Sequence, residues 1–251
     1  MCDLFAMSAH KGGAGAAQSL PIFGVRARKN MDGWGIGFFR NGKAYIEKSA
    51  DRIYVPGQLH DSFQRLARVI RSLTIIAHIR LQTSGKKDEC HAHPFVLHFL
   101  GADWVFAHNG KASAIEGYQS PGERLDAESD SARIFEYLRD YLGFYFREDP
   151  MVYSIFEALR RATSRLISEY PGGYNYLLTN GSMLFAFTNH RRFMVLKGSQ
   201  QLEKALLLTT VAEGLSPEPW EPFKSEEEKS AGLLLLIIGG EIILRQAVAR
   251  L

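Results

Sequence analysis

Hydrophobic residues in this chain fall mostly into short runs of strand type, which flank a central block with helical spacing. Runs of apolar and aromatic residues at 34–39, 74–79, 104–107, 174–178 and 183–187 predict strands. Asn-Gly turns after the first and the fourth of these runs are a strong hairpin signal. Five further strands are expected, at about 44–46, 192–196, 205–210, 233–238 and 241–248.

Helical spacing predicts three helices. Apolar residues recur every three or four positions from Leu59 onward, which predicts a helix over about 57–72. A second helix is expected over 130–143, and a third begins after Pro150. Strands, then helices, then strands predict an α+β fold in which antiparallel sheets are covered by helices. No segment resembles a domain linker, so we expect one domain over residues 1–251.

Composition and charge exclude several function classes. The 251 residues are 46% hydrophobic with a net charge of +3, and interspersed charges do not form a nucleic-acid-binding face. Cys2 and Cys90 are the only cysteines, which excludes a disulfide framework and favours the cytoplasm. No signal peptide is expected, and the longest apolar run, Leu233–Ile238, is too short to cross a membrane.

Cys2 is the most reactive candidate, because removal of Met1 would make it the first residue of the mature chain. Its own α-amino group, with a pKa of about 8, could then accept the thiol proton, as in enzymes with an N-terminal Thr nucleophile. The alternative is that a cysteine at the second position is an accident of sequence. The polar residues further along the chain decide between these interpretations.

Three groups of polar residues lie at the ends of predicted elements. Arg80 follows the strand at 74–79 and could grip a carboxylate, or form an internal salt bridge. Asn109-Gly110 could direct an amide and a backbone N–H at developing negative charge, or form an ordinary turn. Asp130, at the start of the second helix, could bind an ammonium group or cap the helix.

The segment from Cys90 to His98 also concentrates cysteine and histidine, which suggests zinc. Its spacing does not match a ligand pair separated by two residues, and no second cysteine cluster completes a tetrahedral site. We therefore expect no metal, and nothing in the chain calls for a cofactor.

The order of these motifs resembles the class II glutamine amidotransferases, the N-terminal-nucleophile hydrolases that begin with cysteine, and above all their YafJ-like stand-alone members. Six motifs carry the resemblance: Cys2, Asp32-Gly-Trp-Gly35, Arg80, His93-Pro94, His108-Asn-Gly110 and Ser129-Asp-Ser131. The resemblance implies a four-layer αββα sandwich, with two antiparallel sheets flanked by helices. It also implies hydrolysis of the γ-amide of glutamine, and ammonia released for an acceptor on a separate protein.

The resemblance further implies a role for each matching residue. Cys2 would be the nucleophile with its α-amine as base, and Asn109 and Gly110 would form the oxyanion hole. Arg80 would hold the substrate α-carboxylate, and Asp130 the α-ammonium group. Two further positions would line the pocket, Thr83 and His93, whereas Asp32 would serve structure more than chemistry.

Two departures from the family pattern leave the substrate open. Leu81 stands where many members have Trp, and Ala132 stands where stand-alone members have Glu. One alternative is a hydrolase of another γ-glutamyl compound, such as a peptide or a thiol conjugate. A catalytically weak binding module is the alternative of another class, but the joint presence of Cys2, Arg80, Asn109 and Asp130 argues against it.

Overall fold

The structure, a computed structural model, describes residues 2–82, 85–148, 154–190, 193–199, 202–224 and 232–250. Its strands form two large sheets in which all neighbouring strands are antiparallel. The first sheet contains, in spatial order, β13 (Glu221–Pro222), β11 (Met194–Ser199), β12 (Ala205–Thr209), β1 (Asp3–Ser8), β6 (Thr74–Ile79), β2 (Trp34–Arg40) and β3 (Lys43–Ser49).

The second sheet and the helices complete the fold. In spatial order, this sheet contains β15 (Glu241–Val248), β14 (Gly232–Ile238), β10 (Met183–Thr188), β9 (Gly173–Thr179), β8 (Ala102–Lys111) and β7 (Phe95–Phe99). A small hairpin pairs β4 (Tyr54–Val55) with β5 (Gln58–Leu59). The helices are α1 (Ser19–Arg26), α2 (Asp61–Val69), α3 (Asp130–Glu148) and α4 (Ile155–Glu169). None of the helices described is long and apolar enough to cross a membrane.

Three hydrophobic clusters show how the layers stack. Leu4 and Ala107 belong to a cluster between the facing sheets. Phe5 belongs to a second cluster, which joins the first sheet to α1 and α2. Phe106 and Phe135 belong to a third, which joins the second sheet to α3 and α4. The order of helix, sheet, sheet and helix confirms the predicted αββα sandwich.

The alternation of side chains along each strand directs the polar residues into the space between the sheets. Leu4 faces the second sheet, and Cys2 lies two positions before it. Ala107 and Ile76 belong to the same cluster as Leu4. Asn109 lies two positions after Ala107, and Arg80 lies four positions after Ile76. Because alternate residues of a strand share a face, these three polar residues continue the inner faces of their strands toward one end of the sandwich.

The predicted strands are confirmed wherever they fall on described residues, but the helix over 57–72 is wrong in extent. It is confined to Asp61–Val69, because Leu59 belongs to a hairpin whose Gly57 has a φ of 87°. Ile70 is already extended, with a ψ of 129°. The second helix is confirmed and continues to Glu148.

Three of the longer elements, β1, β7 and α1, were not predicted, and neither were the two-residue strands β4, β5 and β13. All six residues of β1 are buried, so the strand shows no alternation of apolar and polar residues. The segment before α1 is rich in Gly and Ala, and within it Ala14 forms an isolated β-bridge with Ser72.

Gly35 is required by the close approach of another segment to β2. A Cβ at this position would collide with the carbonyl oxygen of His93 and lie 2.9 Å from the Cβ of Lys48. Only glycine therefore lets the His93-Pro94 segment rest on this strand.

We expect Gly35→Ala to lower the free energy of unfolding by about 1–3 kcal/mol, because the backbone must move apart to admit the methyl group. Gly117→Ala is the matched control, since a Cβ there meets nothing within 4 Å; its effect should stay within about 0.5 kcal/mol. Urea unfolding of both variants measures the difference. Equal midpoints would contradict the close approach.

Candidate active site

Five of the predicted site residues, Cys2, Arg80, His93, Gly110 and Asp130, line one pocket at one end of the sandwich, with an empty volume of about 340 Å³. The start of β1, the ends of β6 and β8 and the start of α3 converge there. Its walls include Cys2, Arg80, Leu81, His91, His93, His108, Gly110, Ser129, Asp130 and Ser131. The fold thus brings together residues that lie up to 129 positions apart in the chain, and every one of them except Leu81 is polar or glycine.

The thiol of Cys2 is half-buried and contacts the backbone of Leu81. The Leu81 N–H donates to Sγ at 3.3 Å, and Sγ lies 3.3 Å from the Leu81 carbonyl oxygen. Burial raises the pKa of this thiol, although the Leu81 backbone and the positive charge of Arg80 oppose the shift. A protonated thiol is a weak nucleophile, so Cys2 needs a nearby base to react at neutral pH.

Asn109 and Gly110 lie beside Cys2 at the end of β8. The Asn109 Nδ2 donates to the backbone carbonyl of Cys2 at 2.6 Å, and the side chain is almost completely buried. A Cβ on Gly110 would collide with the carbonyl oxygen of Gly173, so the crowded backbone admits only glycine. Asn109 is therefore a bridge between the two sheets, which an ordinary Asn-Gly turn would not form.

Arg80 is buried at the end of β6. Its Nη1 donates to the Lys86 carbonyl at 2.7 Å, and its backbone N–H donates to the Gly33 carbonyl at 2.8 Å. Burial lowers the pKa of the guanidinium, with Cys2 and Asp32 opposing the shift. A guanidinium remains charged in proteins, so a buried positive charge lines the pocket.

Asp130 lies at the first position of α3 with its carboxylate anchored on both sides. Oδ2 accepts the Ala112 N–H at 3.0 Å, and Oδ1 accepts the Ser131 N–H at 2.7 Å. The helix-capping contact is made instead by Ser129, whose Oγ accepts the Ala132 N–H at 3.2 Å. Asp130 is thus more than a helix cap: its carboxylate fixes the segment after β8 against the start of α3.

Three buried histidines surround these residues. The rings of His78 and His93 meet edge to face, with centroids 4.3 Å apart, and neither ring has a hydrogen-bond partner among the described residues. His108 differs, because Nδ1 lies 2.9 Å from the Ser131 Oγ and Nε2 lies 3.2 Å from the Gly173 carbonyl. Burial lowers the pKa of all three, to about 3 for His78, so they are neutral at pH 7.

Several supporting residues were missed by sequence reasoning. Asp3 accepts hydrogen bonds from Asn30 Nδ2 at 2.8 Å and from Thr210 Oγ1 at 2.9 Å, which fixes the strand that begins after Cys2. Such contacts join residues far apart in sequence, and no spacing signals them. His91 was considered only as a zinc ligand, and its place in the pocket wall was not predicted.

Asp32 has the structural environment that the resemblance implies for it. Its Oδ2 accepts the Gln82 N–H at 2.9 Å, and its Oδ1 pairs with Lys87 Nζ at 3.2 Å. Burial alone would raise the pKa of the Asp32 carboxyl, but these contacts lower it. Asp32 therefore holds the segment that follows Arg80.

Two remaining expectations concern Thr83 and metal binding. Thr83 lies outside the described residues. Within the described part of the chain, no group of three or more His, Cys, Asp or Glu side chains is arranged to hold a metal ion. Cys90 is exposed and does not line the pocket around Cys2.

Comparisons with known proteins point to one family. The family model for class-II glutamine amidotransferases matches residues 1–207. A Haemophilus influenzae protein provisionally named a glutamine amidotransferase is 32% identical over 159 residues, which cover 62% of this chain and 52% of that protein. The chain thus spans about half the length of this relative.

Two further similarities bear on fold and substrate. A crystal structure described as a predicted glutamine amidotransferase from Pseudomonas aeruginosa superposes with a TM-score of 0.58 at 21% identity, covering 97% of this chain and 95% of that one. A gamma-glutamyl-hercynylcysteine sulfoxide hydrolase from Mycobacterium tuberculosis is 32% identical over 116 residues, 45% of this chain and 47% of that protein. The first similarity bears on the fold alone.

The buried histidines predict acid sensitivity. The pKa of His78 falls from 6.5 to about 3 on folding, so between these values only the unfolded chain binds its proton. The free energy of unfolding should therefore fall as the pH drops through this window, by about 2–3 kcal/mol at pH 4.5 on account of His78.

Between pH 7 and pH 4.5, the free energy of unfolding of His78→Leu should fall by about 2–3 kcal/mol less than that of the wild type, because leucine binds no proton. Urea unfolding at the two pH values measures this difference. His93 and His108 remain in the variant, so its acid sensitivity should shrink without disappearing. An identical loss in both proteins would contradict a neutral, buried His78.

Proposed function

Since this chain belongs to the class II glutamine amidotransferases, we propose that it hydrolyses the γ-amide of glutamine through a γ-glutamyl thioester on Cys2. Ammonia released in this way would pass to an acceptor held by a separate partner protein. The observation that carries the proposal is the convergence of a thiol, a cation and a carboxylate on one pocket, with the Asn109 amide bonded to the backbone of the residue that bears the thiol.

The first half of the reaction requires that Met1 is removed, so that the α-amine of Cys2 can take the thiol proton. The thiolate then attacks the γ-carboxamide carbon, and the carbonyl electrons move onto oxygen. The tetrahedral intermediate collapses, the ammonium group returns its proton to the leaving nitrogen, and ammonia departs. Cys2 is left as a thioester.

The second half restores the enzyme. Water attacks the thioester carbon, and the α-amine takes one of its protons. Collapse of this intermediate expels the thiolate, which recovers the proton, and glutamate leaves. The net change is glutamine plus water to glutamate plus ammonia, with the thiol and amine unchanged.

Oxyanion stabilisation falls to Asn109 and Gly110. The Asn109 amide uses one N–H on the Cys2 carbonyl, and an amide nitrogen carries two donors, so the second can serve the oxyanion. The Gly110 N–H is the companion donor. Because the bond to the Cys2 carbonyl ties the amide to the nucleophile's own backbone, the donor is positioned before substrate arrives.

The amino-acid head group would bind between Arg80 and Asp130. The buried guanidinium suits a two-pronged contact with the α-carboxylate. Both Asp130 oxygens already accept a backbone N–H, but a carboxylate oxygen can accept more than one hydrogen bond. One cation and one anion in a single pocket match a small zwitterion.

The second candidate is hydrolysis of another γ-glutamyl compound. The Mycobacterium tuberculosis relative, which is named as a gamma-glutamyl-hercynylcysteine sulfoxide hydrolase, favours it. The same thiol, oxyanion donors and head-group contacts would serve either reaction. Only the leaving group differs, so the substrate side chain beyond the γ-carbonyl decides between them.

Separate detection of ammonia and glutamate distinguishes the two candidates. A glutaminase should release both from glutamine in equal amounts. A hydrolase of another γ-glutamyl compound should release glutamate from that compound and little from glutamine. A purified wild type that releases glutamate from neither glutamine nor a panel of γ-glutamyl peptides and thiol conjugates would overturn both candidates.

We expect Cys2→Ala and Cys2→Ser to abolish nearly all turnover, because the covalent route is lost. Cys90→Ser is the matched control: Cys90 is exposed and outside the pocket, so this variant should keep wild-type kcat. Steady-state release of glutamate measures all three. Wild-type turnover in either Cys2 variant would exclude this nucleophile.

We expect Arg80→Ala to weaken substrate binding by about 2–5 kcal/mol, because a desolvated carboxylate loses its partner. The loss should appear in KM and kcat/KM more than in kcat. Arg80→Lys should recover only part of it, since an ammonium cannot form the two-pronged contact.

Thermal unfolding measured alongside the kinetics provides the control for Arg80. A variant that melts earlier yet binds glutamine with normal KM would show that Arg80 serves the fold alone. Glutamine lacking its α-carboxylate should be a poor substrate for the wild type and lose little more in Arg80→Ala.

A further inference from the structure

We propose that His91 is a positioning residue that holds the two halves of the head-group site, the segment after Arg80 and the segment before Asp130, at a fixed separation. This inference rests on the proposed function and names a residue to which neither the sequence motifs nor the comparisons assign a role. It acts through its neighbours and takes no part in the chemistry.

His91 belongs to the loop that follows β6, and its ring, which is 5% exposed, packs against the loop that precedes α3. On one side Nδ1 lies 2.5 Å from Oδ1 of Asp88, which also accepts the His91 backbone N–H at 3.0 Å. On the other side Nε2 lies 3.1 Å from the backbone nitrogen of Glu128. One ring therefore contacts the loop that follows β6 and the loop that precedes α3.

These partners fix the protonation of the ring. A carboxylate only accepts, so Nδ1 carries the hydrogen, and a backbone N–H only donates, so Nε2 carries none. The hydrogen bond from His91 lowers the pKa of Asp88, which keeps that acceptor ionised. The neutral ring with hydrogen on Nδ1 satisfies both neighbours at once.

One contact lies two positions from the carbonyl that receives Arg80, and the other lies two positions from Asp130. Arg80 Nη1 donates to the carbonyl of Lys86, which lies two residues before Asp88. Glu128 lies two residues before Asp130. Through His91, the backbone that receives the Arg80 guanidinium is joined to the backbone that carries the Asp130 carboxylate.

Packing shows that the separation is tight. Gly85 has a φ of 71°, and a Cβ there would collide with the His91 ring and lie 3.2 Å from the Glu128 carbonyl oxygen. The ring and the Glu128 carbonyl therefore leave no room for a side chain at position 85. Loss of the ring leaves a gap across which the loops can shift, and small shifts of groups that hold a substrate are costly.

Variants of His91 can remove the two contacts separately. His91→Asn keeps a donor near the Nδ1 position for Asp88, and His91→Gln keeps an acceptor near the Nε2 position for Glu128. His91→Ala loses both contacts. We expect KM for the hydrolysed γ-glutamyl substrate to rise in the order wild type, then Asn and Gln, then Ala, reaching about tenfold or more, with kcat changed less than about threefold.

The matched control is His98, whose Nδ1 lies 2.9 Å from Asp103 in an exposed hairpin at the far end of β7 and β8. His98→Ala removes the same kind of histidine–aspartate pair and should leave KM unchanged. Asp88→Ala tests the contact from its other side, because it should raise KM as His91→Gln does. The double variant with Asp88→Ala and His91→Gln should have the same KM as either single variant, since both changes remove the same contact between His91 and Asp88.

The outcomes separate cleanly. An active wild type with normal KM in folded His91→Ala and Asp88→Ala would overturn the role of His91 and leave the proposed function intact. A fall in kcat at constant KM would overturn it as well, and so would an equal rise of KM in His98→Ala. A wild type that hydrolyses no γ-glutamyl substrate would instead overturn the proposed function, and this inference with it.

Discussion

Burial of apolar side chains between the two facing sheets is the interaction on which the rest of the structure depends. Leu4 and Ala6 of β1 pack there with Val105 and Ala107 of β8. The next residues on the same faces of these strands, toward the pocket, are Cys2 and Asn109. A slip of one residue in either strand would turn these side chains toward the helices, so the apolar register also sets the geometry of the candidate site.

The same packing determines the electrostatics of the site. Closing the sheets over the polar end buries the guanidinium of Arg80, the carboxylate of Asp130 and the imidazoles of His78, His93 and His108. Each group is stable there only if it is paired, hydrogen-bonded or neutral. Arg80 and Asp130 are held by backbone groups, whereas the histidines give up their protons. The pocket therefore offers one fixed positive and one fixed negative charge in surroundings that amplify both.

Hydrophobic periodicity predicted the main strands because it reports which face of an element is buried, whereas the four layers were implied by the family resemblance. Periodicity failed for β1, where burial on both faces removes the alternation, and for Leu59, where helical spacing coincides with a hairpin. The chemistry-bearing residues followed from motif order. What spacing could not supply were the contacts across the sandwich, such as Asn109 to the Cys2 carbonyl and His91 to Glu128.

The central claim is that Cys2 becomes an N-terminal nucleophile. Peptide mass spectrometry after incubation with 6-diazo-5-oxo-L-norleucine, an electrophilic analogue of glutamine, tests it most directly. The account predicts one adduct, formed with loss of dinitrogen, on a Cys2 that carries a free α-amine and no Met1. An adduct confined to Cys90, or none on Cys2 in an active protein, would contradict it.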